Sequence, residues 1–268
     1  MQKLKLKKNH DFRLKKGHLW VYSNEIETMP QIESGELVEV LNYKNESFGL
    51  GFFNSSSLIS VRLLQTDSVD HSFFEERIHQ AKVYREKILP GENTYRLVFG
   101  ESDMLPGLVI DKYENYFSVQ VLSAGMEIRF KEILSALLKE FPETKGIVEK
   151  NTSKLRELEG LELREGIVWG DVPNEIEMKE NGISYLVSLI DGQKTGYFLD
   201  QRPNRMMVQK LAKNASVLDC FTNQGGFALN AAKSLRRCMR CKATISSRTA
   251  SSPCACRRGA TGRNSGSS

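Results

Sequence analysis

Long apolar runs are missing from this 268-residue chain: no stretch approaches the roughly 18 to 20 residues that a membrane-spanning helix needs. Its first residues alternate Lys and Leu instead of building a secretory leader, so a cytoplasmic protein is the expectation. Cysteine is nearly absent from the body. Of five cysteines only Cys220 precedes position 236, which excludes a disulfide framework there and fits a reducing compartment. Acid is missing from the end: residues 236–268 hold eight bases and no Asp or Glu. The formal charge of +5 is therefore a property of the tail, because the first 235 residues carry 30 bases against 33 acids, a net −3. The tail cysteines, Cys238, Cys241, Cys254 and Cys256, invite a zinc reading. Their second pair has one spacer residue where zinc ribbons use two or more, and no apolar periodicity supports a fold around them, so no metal is expected.

What is present is locally organised. Residues 1–70 carry short β-rich runs at 36–41, 48–53 and 58–64 separated by turn residues, the pattern of a compact barrel. Seven bases against one acid crowd the first sixteen positions, and Lys3, Lys5, Lys7, Lys8 and Arg13 are candidates for phosphate contacts. Trp20 reads first as a core anchor and second as a platform for base stacking.

Residues 71–188 alternate predicted helices at 72–89 and 126–140 with strands near 95–99, 108–112, 116–122, 146–149, 166–169 and 183–188, an α+β domain. Phe74, Ile78, Ala81 and Ile88 fall on one face of the first helix, with Ser72 as its N-cap. Glu101, Asp103 and Asp111 surround the Pro106–Gly107 turn and read as solvated turn residues.

Residues 189–235 hold the chemical signal. A polar loop, Asp191-Gly-Gln-Lys-Thr-Gly-Tyr-Phe-Leu-Asp-Gln-Arg202, leads to a helix begun by Pro203, with Met207 and Leu211 as its buried stripe. Then Ser216-Val-Leu-Asp-Cys220 reads as a strand, followed by a turn containing Gly225 and Gly226 and a helix with Ala228, Ala231, Ala232 and Leu235 on one face. A strand, glycine turn and helix can cradle a nucleotide-like ligand, since glycine lets backbone approach it.

These motifs, in this order, resemble a family of S-adenosylmethionine (SAM)-dependent methyltransferases that modify carbon 5 of a cytosine in 23S rRNA. The segments Gly17–Asn24, Ser34–Val38 and Gly49–Asn54 resemble its RNA-binding PUA domain, Arg96–Asp111 its middle-domain signature, and Asp191–Arg205 its GxKTG(Y/F)(Y/F)LDQR motif. The resemblance spans residues 1 to about 235. It implies an α/β multidomain fold: a PUA-like β-barrel at 1–70, a middle α+β domain at 71–188, the start of a Rossmann-like methyltransferase domain at 189–235, and an aberrant basic tail at 236–268. It also implies SAM contacts from Lys194, Gly196, Tyr197, Gln201, Arg202, Asp219, Phe221, Gly225 and Gly226, and RNA contacts from the basic residues above with Trp20. The expected partner is 23S rRNA, with a homodimer allowed and no membrane partner. The family's nucleophilic cysteine is expected downstream of this sequence, and Cys220 is assigned to the cofactor shell or the core. A second Rossmann strand ending in an acid should stand between 243 and 252, where the sequence has one large aliphatic residue and no acid. The expectation is a frameshifted or truncated chain whose RNA binding survives and whose cofactor binding is poor; RNA binding without catalysis, or a zinc-held tail, are the alternative functions.

Overall fold

In the computed structural model the described residues are 1–70, 72–192, 195–220 and 222–234. The chain divides into two compact units, residues 1–200 and residues 201 onward.

The first unit opens with a five-stranded mixed sheet: β1 (Gln2–Lys5), β2 (Trp20–Tyr22), β3 (Leu37–Leu41), β4 (Ser47–Phe53) and β5 (Ile59–Leu63), in spatial order β1-β3-β4-β5-β2. β1 runs parallel to β3 and the remaining pairs are antiparallel. A short helix α1 (Phe12–Lys15) lies between β1 and β2. Alternation directs Leu4, Val21, Val38, Val40, Phe53, Val61 and Leu63 into one apolar cluster, the expected consequence of a period-two pattern with one face buried.

A second five-stranded sheet follows, built from β6 (Thr94–Phe99), β7 (Leu108–Tyr113), β8 (Tyr116–Val121), β9 (Gly146–Asn151) and β10 (Arg164–Gly170), in the order β10-β9-β8-β7-β6. The β8–β9 pair is parallel because a helical crossover joins them, α3 (Ala124–Ile128) and α4 (Phe130–Glu140); the other pairs are antiparallel. One face of this sheet is apolar. Leu97, Leu108, Ile110, Phe117, Val119 and Ile147 pack there with Phe74, Ile78 and Ala81 of α2 (Phe73–Ile88) and with Ile133 and Leu137 of α4.

Several local expectations are corrected. The helix expected over 126–140 is two helices, broken at Arg129, whose backbone (φ −97°, ψ 15°) leaves the helical range and whose guanidinium instead bonds the carbonyls of Gly35 and Gly125. Ser72 sits at the N-cap, but its hydroxyl bonds the carboxylates of Asp70 and Glu76, not a backbone amide. Ile88 is exposed, and Arg85 takes the inward position because Arg96 O (2.8 Å) and Asp103 (2.6 Å) satisfy its guanidinium. After a short helix α5 (Leu155–Leu158), a hairpin of β11 (Ile176–Glu180) and β12 (Ile183–Val187) completes the regular elements of this unit.

In the second unit, α6 (Arg202–Leu211) and α7 (Gly226–Ser234) pack together. The strand expected at 216–220 is not formed over 216–219, since a strand requires a ladder partner and none is described beside it. Met207 and Leu211, the expected buried stripe, are 59% and 73% exposed, while Arg202 and Arg205 are buried. Ala228 and Ala231 are buried as expected, whereas Ala232 is exposed and Asn230 is buried in its stead, donating to Gly226 O at 2.8 Å. No helix among the described residues is long and apolar enough to cross a membrane.

Candidate functional site

The face of the second sheet turned away from α2 and α4 is polar, and it carries the motif loop. Strand alternation places Arg96, Asp111, Tyr113, Ser118 and Lys150 on that face, opposite the apolar positions already described. Asp111, fully buried, accepts two bonds from Arg96 (2.8 and 3.0 Å) and one from the Thr195 hydroxyl (2.5 Å). Tyr113, also fully buried, accepts the Tyr197 N–H at 2.9 Å and donates to the Tyr197 carbonyl at 3.3 Å. Lys150 donates to Ile190 O at 2.8 Å. The rings of Tyr185 and Tyr197 lie 5.3 Å apart.

Electrostatics follow from this burial. Desolvation would lower the pKa of Arg96, but the paired bonds with Asp111 and the charges of Asp111 and Asp200 outweigh it, so the guanidinium is held above its ordinary range. Burial, reinforced by the adjacent Asp111 charge, pushes the Tyr113 phenol far up, and it stays a neutral hydroxyl able both to donate and to accept. Two glycines shape the loop. A Cβ at Gly192 would lie 2.1 Å from Ser188 O, and Gly196 has φ +125° with Leu189 2.8 Å from where a Cβ would stand. Of the residues expected to meet the cofactor, Gly196 and Tyr197 are thus fixed on the sheet, while Lys194 lies outside the described residues.

In the second unit Asp219 organises the glycine turn. Its carboxylate accepts the Thr222 hydroxyl at 2.9 Å and the Ala228 N–H at 3.0 Å, so it caps α7. Gly225 has φ +77°, and its N–H donates to Thr222 O at 2.8 Å. Gly226 begins α7, whose first amides face the turn. Gln201 accepts from Asn204 at 2.9 Å and Arg202 is buried. Phe221 and the tail lie outside the described residues, as does the zinc reading of the tail cysteines. Cys220 is exposed, which removes it from any core. No group of His, Cys, Asp and Glu with metal-binding geometry occurs among the described residues.

The basic N-terminal residues behave unequally. Lys3 is 68% exposed and only loosely paired with Glu39 at 3.7 Å. Lys8 is exposed, and Lys7 reaches Asn24 O at 2.8 Å. Lys5 is half-buried. Arg13 is engaged, bonded to Glu25 at 2.7 Å with its guanidinium 4.6 Å from the Tyr22 ring centre. Trp20 is half-buried, its N–H bonded to Glu101 at 2.7 Å and Arg62 over its ring at 5.5 Å.

That bond corrects the reading of the three acids as solvated. Glu101 ties Trp20 and Arg62 to the turn before β7, Asp103 binds Arg85 and the Phe99 N–H, and Asp111 is the buried hub. Their partners lie from 4 to 84 residues away, so local pattern did not disclose most of them. Arg96, Tyr113 and Lys150 were likewise not legible as site residues. The only signal available was polar residues at alternate positions of otherwise apolar strands.

Comparison with known proteins gives this geometry a setting. A PUA-like domain family matches residues 4–66. The chain carries an N-terminal PUA-like domain. It is similar to the ribosomal RNA large subunit methyltransferase I of Citrobacter koseri, 36% identical over 236 residues, which are 85% of this chain and 59% of that protein. The protein of the same name from Pseudoalteromonas atlantica is 39% identical over 220 residues, 80% of this chain and 55% of the relative. The chain therefore spans less than two thirds of the length of these relatives. Among solved structures, a SAM-dependent methyltransferase from Streptococcus mutans superposes with a TM-score of 0.73 at 24% identity, covering 87% of this chain and 61% of its own. A methyltransferase structure complexed with SAH gives 0.75 at 24% identity over 87% and 60%. The fold is α/β multidomain, a PUA-like domain joined to the architecture of these methyltransferase structures.

Proposed function

We propose that this chain acts in SAM-dependent methylation of carbon 5 of a cytosine in 23S rRNA, the PUA-like sheet holding RNA and residues 191–226 contacting the cofactor. The observation that carries this reading is the 36 to 39% identity, over 80 to 85% of the chain, to proteins named ribosomal RNA large subunit methyltransferase I. Lys3, Lys5, Lys7 and Lys8 serve as phosphate contacts from the strand and loop that begin the PUA-like domain. Arg13 and Trp20 shape that surface through Glu25 and Glu101.

The residues present fit a nucleoside cofactor by their chemistry. Asp219 and the positive φ of Gly225 build a turn that leads into the N-terminus of α7, where Asp219 holds the Ala228 N–H, and the backbone there suits a polar ligand edge. When bound, SAM supplies an electrophilic methyl sulfonium. Toward it, Lys194, Gly196, Tyr197, Gln201 and Arg202 from the motif segment, and Phe221, Gly225 and Gly226 from the turn, are assigned contact roles, while Asp219 holds the turn in shape. No residue of this chain is assigned the nucleophilic cysteine role. The domain limits are proposed as 1–70, 71–188 and 189–235, the setting as cytoplasmic, and a homodimer as compatible.

The test is binding of unmodified 23S rRNA fragments across a salt series, together with tritiated-methyl transfer. Replacing Lys3, Lys5, Lys7 and Lys8 by Ala should flatten the salt slope by about one unit per lost phosphate contact. An unchanged slope counts against the N-terminal segment as the RNA contact. Binding with no methyl incorporation supports the second reading, RNA binding without catalysis by this chain. Neither binding nor incorporation overturns both.

A further inference from the structure

We propose that Asp111, Tyr113 and Lys150 are positioning residues: from the polar face of the central sheet they hold the 188–200 loop in the shape that sets its affinity for the cofactor. This rests on the reading of that loop as a cofactor contact. The tethers bracket the loop's tip. Lys150 holds Ile190 O before it, and Asp111 and Tyr113 hold the Thr195 hydroxyl and the Tyr197 backbone after it.

The three anchors sit on strands of one sheet, Asp111 and Tyr113 on β7 and Lys150 on β9. The sheet has its opposite face packed on two helices, so it cannot shift without disturbing the core. Among the described residues the loop between β12 and the turn of helix at Leu199–Gln201 forms no strand, and the side-chain tethers reach it from the sheet. A Cβ at Gly192 would meet Ser188 O and Gly196, so the two arms of the loop lie close together at these residues.

The bonds that satisfy these buried polar groups converge on one part of the loop. Asp111 already has two bonds from Arg96, yet it takes a third from Thr195; Tyr113 commits both its donor and its acceptor to a single residue of the loop. Both connections join positions 84 residues apart, and both end within the Thr195–Tyr197 part of the motif.

The experiment uses the whole chain with Tyr113→Phe, Thr195→Val and Thr195→Ser. Tyr113→Phe keeps the ring in the core and removes only the tether, and Thr195→Ser restores the hydroxyl that Thr195→Val deletes. These milder substitutions are preferred to Asp111→Ala, which would strand Arg96 and risk unfolding the chain. Hydrogen exchange read by mass spectrometry reports the Tyr197 amide directly, and calorimetry with SAH reports the site. Losing the tether, two hydrogen bonds in Tyr113→Phe and one in Thr195→Val, should speed exchange at Tyr197 and weaken SAH about 3- to 10-fold. Thr195→Ser should restore affinity to that of the parent, and the thermal midpoint should move little across the set. Faster exchange in Tyr113→Phe and Thr195→Val with SAH affinity equal to the parent overturns the positioning role alone. A parent chain that gives no SAH heat at millimolar ligand, while its loop exchange responds to the variants as described, overturns the cofactor reading of the loop and the proposal with it.

Discussion

Residues 1–200 and residues 201–234 treat their apolar side chains differently. In the first region two apolar clusters absorb the inward positions of both sheets and of α2 and α4. In the second, α6 and α7 pack together and bury Ala212, Ala228 and Ala231, yet Met206, Met207, Leu211 and Leu218 remain 43%, 59%, 73% and 71% exposed while Arg202 and Arg205 are buried. An amphipathic pattern states which face would gain from burial. It does not state that a covering element exists beside it, and the two regions separate these two facts.

The difference can be broken most forcefully in the first region. Phe117→Ala removes a fully buried ring that lies 5.1 Å from the ring of Phe141, and it should cost about 3 to 5 kcal/mol, read as a lower midpoint in denaturant unfolding at unchanged slope. A cost near zero would mean that the sheet and α4 do not share a cooperative core.

Next in size is Arg156→Met. The Arg156 side chain is fully buried, bonded to Val121 O at 2.5 Å and to Glu127 at 3.0 Å, and Glu127 in turn pairs with Arg164. Removing one member of such a buried network should cost about 3 kcal/mol by the same measurement, since the remaining acceptors lose a charged donor.

Acid should act on the first region by a smaller amount. Burial raises the Glu140 carboxyl, but bonds from Lys82 (3.0 Å) and His79 (3.2 Å) more than offset this and hold it below its ordinary 4.5. A depressed folded value means that its contribution is present above the unfolded value and is lost as pH falls through the lower, folded one. Unfolding followed down through pH 4.5 should show stability falling, and Glu140→Gln should reduce that dependence by less than about 1 kcal/mol, given partial exposure. A variant with the parent's full acid response would assign the effect elsewhere.

The smallest effect sharpens the comparison from the other side. Leu211→Ser, at a position 73% exposed, should change stability by no more than about 0.5 kcal/mol while reducing apolar surface. A loss as large as that of Phe117→Ala would show that α6 is covered in solution.

Much of the fold was legible locally. Short β-rich, apolar-leaning runs bounded by turn residues located β3, β4, β5, β7 and β8 to within a residue or two, and the 3.6-residue stripe located α2 and α4, because residue type and helical spacing are local quantities. β1, β2 and β11 were missed. β1 alternates Lys with Leu, β2 is three residues long, and β11 mixes charge into its exposed face, so none has enough contrast to register alone. The strand expected at 216–220 was legible in composition, but among the described residues 216–219 form no strand and only Cys220 is in a β-bridge; pairing is a property of two segments.

The site divides along the same line. Sequence by itself determined that a polar loop precedes the helix begun by Pro203 and that a glycine turn precedes the next helix, since spacing and residue type are local quantities. It determined the basic character of the first sixteen residues as well. Only the tertiary structure decided that Glu101, Asp103 and Asp111 are engaged acceptors, that Trp20 is tied to a turn 81 residues away, and that the motif loop hangs from Asp111, Tyr113 and Lys150. The physical reason is that a carboxylate or hydroxyl acquires its role from the donor it meets. In this chain those donors and acceptors are brought together by the pairing of strands, across separations that no local pattern spans.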